Sequence, residues 1–117
     1  MPRDEAAIVD IVTAARDTLG FVEGLTCEAF LADPRTRAAV LYQLLVVGEA
    51  SKRLSVEFRA NLRDVPWVKI GNLRNVVVHD YNQVDLRKIW DIATRELPLL
   101  IERLSPLLPK PSTGEPQ

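Results

Sequence analysis

The 117-residue chain has one cysteine, one histidine and five glycines, and each scarcity removes a class of protein. Cys27 has no second thiol to pair with, so no internal disulfide forms. The chain does not open with a basic stretch, an apolar run and a small-residue cleavage site, which points away from secretion and towards the reducing cytoplasm. A single imidazole and a single thiol are too few ligands for a built-in zinc or iron site, so neither a metal nor another cofactor is expected. The longest apolar runs, such as AAVLYQLLVVG, fall well short of the roughly 20 residues that a membrane-spanning helix needs, and no membrane partner is expected. Scarce glycine together with the absence of β-branched alternation favours an all-α protein.

A chain of this length makes one domain that removes roughly two-thirds of its unfolded surface from water. Its formal net charge of −1 argues against a broadly basic nucleic-acid binder. The charge is unevenly spread, however. Residues 1–49 carry 4 Lys/Arg against 8 Asp/Glu, whereas residues 50–79 carry 6 against 2. The plain reading of such a cluster is a solvated, mildly basic face.

Helix signals divide the chain into an up-and-down four-helix bundle with short extra helical turns. Asp4 is placed to cap a first helix running to about Glu23, where Gly24 stops it; Ile8, Ile11, Val12, Ala15, Leu19 and Val22 form its apolar stripe. A short turn over Thr26–Leu31 precedes Asp33-Pro34, which reads as a cap followed by proline at the first position of a second long helix, ending near Leu54. Gly48 inside that helix disfavours it by up to about 1 kcal/mol relative to alanine, which suits a place where another helix comes close. Ser55 opens a short helix to about Arg63. Asp64-Val65-Pro66 then marks a third main helix, read as continuous from Trp67 to about His79. Asp85 caps the last helix, which Pro98 should bend or break, although LLIERL is able to extend it to Ser105. Residues 1–105 are read as the helical domain and 106–117, PLLPKPSTGEPQ, as a disordered tail.

The stretch LRNVVVHDY holds the only histidine, with an arginine before it and a tyrosine after it. At 100° per residue from Trp67, the positions Trp67, Ile70, Arg74, Val77, Val78 and Tyr81 fall on one apolar stripe, with Arg74 in its middle. A buried guanidinium requires an anionic partner, so an acidic or phosphate group is expected to face it. His79 titrates near neutrality, and arginine grips phosphate through paired hydrogen bonds. Taken singly, the histidine reads as a helix-end residue, the arginine as half of an ion pair and Tyr81 as core filler with a satisfied hydroxyl.

Three stretches, VGEASKRLS (47–55), VPWVKIGNLRNVVVHDY (65–81) and VDLRKIWDIATRELPLL (84–100), resemble the HEPN-domain proteins, and within them the HepT-like toxins of prokaryotic two-gene toxin-antitoxin modules. The central signature is Arg, four residues, His, one residue, Tyr, matched by Arg74, His79 and Tyr81, with Asn75 after the arginine. The resemblance implies a metal-independent RNA endonuclease working as a homodimer, its two motif copies facing one cleft. It implies that Arg74 orients the scissile phosphate, that His79 acts as general base or acid, and that Asn75 supports the site. Glu49, on the neighbouring helix, is assigned as a supporting carboxylate that holds Arg74 or a partner group. The resemblance also implies an antitoxin partner, a minimal nucleotidyltransferase from another gene, that silences the toxin by adenylylating Tyr81. Two rivals share the periodicity: a non-catalytic helical dimer that binds a nucleotidyltransferase partner, and an inactive relative retained for its bundle.

Overall fold

The computed structural model describes residues 2–75 and 85–109, and every element among them is helical. Helix α1 (Pro2–Val22) lies against α3 (Pro34–Lys52), and the short α2 (Cys27–Leu31) joins them. After α4 (Val56–Ala60) and α5 (Trp67–Gly71) comes a composite last helix: α6 (Leu86–Asp91), a wider π-type turn (Ile92–Glu96) and α7 (Leu97–Leu104). One apolar core, with Ile11, Phe30, Leu44, Ile89 and Leu104 fully shielded, runs through α1, α2, α3, α6 and α7. Helical spacing selects Ile11, Leu44 and Ile89 among these, and burying each side chain contributes about 1.5–3 kcal/mol.

Local capping chemistry sets most boundaries. The Thr26 hydroxyl accepts from the Ala29 amide at 3.0 Å, Asp33 from Thr36 at 3.2 Å, Ser55 from Phe58 at 3.1 Å and Asp85 from Lys88 at 3.1 Å. Gly24, with φ of 79°, ends the first helical segment as expected. Helix α4 stops at Ala60, short of the expected Arg63, and α3 stops at Lys52, short of Leu54.

Asp4 departs from its expected capping role, because α1 already begins at Pro2. Its buried carboxylate instead accepts from the Ser55 amide at 2.7 Å and the Ser55 hydroxyl at 2.8 Å, tying the start of α1 to the start of α4. The Ser55 amide, more than any other group, holds this carboxyl below its ordinary range.

The third main helix is broken where the sequence predicts continuity. Helix α5 ends at Gly71. The Asn72 amide folds back on the Val68 and Lys69 carbonyls, and residues 73–75 are helical again after a tight turn in which the Asn75 amide donates to the Asn72 carbonyl at 2.9 Å. Past this break the Arg74 side chain lies beside Glu49 of α3. Leu73 is buried at 4% exposure, and Arg74, expected mid-stripe in the core, has a side chain 55% exposed.

Pro98 neither ends nor visibly breaks the last helix, because the chain widens just before it. The Leu97 amide donates to the Ile92 carbonyl, five residues back, and proline then falls in the first turn of α7, where its missing N–H is harmless. Residues 105–107 form a 3₁₀ turn and Leu108 packs on the core, so the packed chain runs past residue 105; residues 110–117 lie outside the described part.

Helix α5 sits close on α3 because position 48 has no side chain. A Cβ at Gly48 would lie 3.1 Å from the Ile70 carbonyl oxygen, 3.5 Å from Leu73 Cβ and 3.6 Å from the Arg74 amide nitrogen. Gly48→Val should therefore destabilise the fold by about 1–3 kcal/mol in denaturant titrations, as overpacking does elsewhere; an unchanged midpoint would show that α5 moves away freely. Asp4→Asn should lower the melting temperature at neutral pH. Because the folded carboxyl has a lowered pKa, its contribution is present above the ordinary carboxylate value and lost as pH falls, so the gap between variant and wild-type melts should close below about pH 4.

Candidate functional site

Arg74 and Asn75 leave the bundle together on the 73–75 turn, beside the outer face of α3. Leu73 anchors the turn in the core, and both following side chains are exposed. Arg74 Nε lies 4.0 Å from Glu49 Oε2, and the same oxygen is 3.4 Å from Lys52 Nζ. Glu49 thus stands between two cations, one of them the expected partner. At 4.0 Å the Arg74 contact is electrostatic, and both side chains are 55% exposed, so it contributes only about 0–1 kcal/mol. A guanidinium placed this way is solvated and offers planar, paired donors to an incoming phosphate, with no cost of burying a charge.

His79, Asp80 and Tyr81 lie outside the described residues, so the motif is represented structurally by Arg74 and Asn75 alone. No cluster of three or more His, Cys, Asp or Glu suited to a metal occurs among the described residues.

The basic middle of the sequence separates in space. Arg53 pairs with Asp10 on α1, whereas Arg59 and Arg63 line an open groove of about 900 Å³ that runs between α4, α5 and α6. Lys88, from α6, and Lys69 complete its charged lining, which also includes Asn72 and Leu73, next to Arg74 in the chain. Sequence reading missed Lys88 here, because only the return of α6 across the bundle brings it to this face. Behind α5 lies a smaller pocket of about 320 Å³ with a largely apolar lining that includes Val47, Ile70 and Leu100. Ion pairs flank this pocket, Lys69 with Glu96 at 3.0 Å and Arg103 with Asp64 at 2.7 Å; the Arg103 guanidinium holds the Asp64 carboxyl below its ordinary range.

An all-α bundle presenting an exposed arginine at the head of an Arg-x4-His-x-Tyr sequence defines a class, and comparison with known proteins places the chain within it. The family described as "Ribonuclease HepT-like" matches residues 11–107. The chain belongs to this HepT-like ribonuclease family and is a ribonuclease. A Methanocaldococcus jannaschii protein provisionally named an RNase is 32% identical over 92% of this chain and 91% of its own. A provisionally named RNase of Caldanaerobacter subterraneus is 36% identical over 76% of this chain and 80% of its own. A Thermococcus cleftensis protein named a probable ribonuclease HepT is 32% identical, covering 78% and 83% respectively. No solved structure matches.

The loose Glu49 contact makes a specific expectation. Glu49→Gln should change unfolding free energy by less than about 0.5 kcal/mol in urea titrations. A loss well above 1 kcal/mol would show that the pair ties the 73–75 turn to α3.

Proposed function

We propose that the chain is the toxin of a toxin-antitoxin module, a metal-independent RNA endonuclease that works as a homodimer with Arg74 and His79 as its catalytic residues. The observation that carries this reading is the exposed Arg74 guanidinium on a core-anchored turn, heading the family's motif in a ribonuclease-family chain. Arg74 binds the scissile phosphate through paired hydrogen bonds and stabilises the negative charge that grows on the five-coordinate phosphorus. His79 takes the proton from the ribose 2′-hydroxyl, the 2′-oxygen forms a bond to phosphorus, and the bond to the 5′-oxygen breaks. The imidazolium, or its counterpart across the dimer axis, returns a proton to the 5′-oxygen. The products are a 2′,3′-cyclic phosphate and a 5′-hydroxyl end, and DNA, lacking the 2′-hydroxyl, is not cut. Asn75 supports the site, and Glu49 restrains Arg74 between substrates.

Silencing in this reading is covalent. Tyr81 Oη attacks the α-phosphorus of ATP bound by a nucleotidyltransferase antitoxin, pyrophosphate leaves, and the adenylyl phosphate occupies the place beside Arg74 that RNA requires.

Purified protein should cut RNA in the presence of EDTA and leave cyclic-phosphate ends. Arg74→Ala and His79→Ala should each lower the rate by about 100-fold or more, with unchanged far-ultraviolet circular dichroism. Undiminished cleavage by either variant removes that residue from the mechanism. Tyr81→Phe should keep its activity when incubated with the partner and ATP, whereas wild type loses it; equal loss in both would place the silencing elsewhere.

A further inference from the structure

The groove between α4, α5 and α6 has four ionisable lining residues, Arg59, Arg63, Lys69 and Lys88, and all are cations. In a chain of net charge −1 this is a marked local excess. Lys69 is paired with Glu96, but among the described residues none of Arg59, Arg63 and Lys88 has a carboxylate within ion-pair distance. Most of the remaining lining is apolar, and two of its large apolar side chains stay in solvent, Val56 at 70% and Val68 at 80% exposure. Cations together with apolar surface match a single nucleic-acid strand, whose phosphates are charged and whose bases have apolar faces. The volume of about 900 Å³ is in the range of ligand-holding clefts.

Direction matters as much as composition. Asn72 and Leu73, the two residues immediately before Arg74, are among the groove's lining residues. The groove thus reaches the segment that carries the guanidinium assigned to the scissile phosphate.

We propose that this groove is the track for single-stranded RNA, with Arg59, Arg63 and Lys88 holding phosphates adjacent to the cleaved one. The inference rests on the ribonuclease reading and extends it from the reacting phosphate to its neighbours. These three residues bind and position substrate and do not touch the reacting atoms.

The test is fluorescence anisotropy of a short 2′-O-methyl oligoribonucleotide, which lacks the attacking hydroxyl, binding the full chain across a salt series. For single strands the slope of log affinity against log salt is about 0.7 per phosphate contact, so Arg59→Ala/Arg63→Ala should reduce its magnitude by about 1.4. Arg16→Ala/Arg35→Ala removes the same charge away from the groove and should leave the slope unchanged. Arg59 is half-buried with its Nε shielded, so Arg63→Ala/Lys88→Ala, both exposed positions, repeats the test without disturbing packing. On cleavable RNA the groove pairs should raise KM several-fold and leave kcat at saturation intact. Equal slopes for groove and control pairs, with cleavage normal, would overturn the track alone. Unchanged RNA affinity with dissociation into monomers would assign the groove to a second copy instead. A wild-type protein that neither binds nor cuts RNA would overturn the track together with the ribonuclease reading.

Discussion

The approach of α5 to α3 at Gly48 is the constraint on which the site depends. With 3.1 Å between a notional Cβ at position 48 and the Ile70 carbonyl, no side chain fits there without displacing α5. The same short approach brings the Leu73 side chain and the Arg74 amide against α3, one residue from Glu49. Packing in the core thereby fixes the backbone of a residue whose side chain is free to meet solvent or substrate. Rigid backbone beneath an exposed, solvated guanidinium is a favourable arrangement for phosphate recognition, since little conformational freedom remains to be lost on binding.

Electrostatics follows the same division. Arg53 is matched by Asp10 on α1 and Arg103 on α7 by Asp64, and these pairs tie elements together. Cations along the α4–α5–α6 groove are mostly unmatched among the described residues. A near-zero net charge thus conceals a groove whose ionisable lining is cationic throughout. Three of its four cations, Arg59, Arg63 and Lys69, come from the chain's basic middle.

What sequence alone revealed was whatever depends on near neighbours. The caps at Asp33, Ser55 and Asp85 act on amides three residues away and were legible, as was the close contact implied by a glycine within the apolar α3. Asp4 was misread because its partner, Ser55, is 51 residues distant and a local pattern sees only the adjacent amides. Arg74 is placed in the core by a helical wheel that assigns faces from spacing alone, whereas its side chain turns out to solvent beside Glu49. The consequence drawn from that placement, a buried charge demanding an anion, was replaced by a solvated one beside Glu49. The last helix passed Pro98 by widening one turn, a solution that residue preferences do not encode. The groove needs Lys88 folded against Arg59 and Arg63, a tertiary fact. His79 and Tyr81 rest on the motif and on family membership.

The most direct measurement is a crystal structure of the full chain with a 2′-O-methyl oligoribonucleotide bound. A phosphate should have two oxygens about 2.9 Å from the Arg74 guanidinium nitrogens, and the strand should leave it past Asn72 into the groove. A strand bound elsewhere, with Arg74 still turned to Glu49 and water, would contradict that expectation.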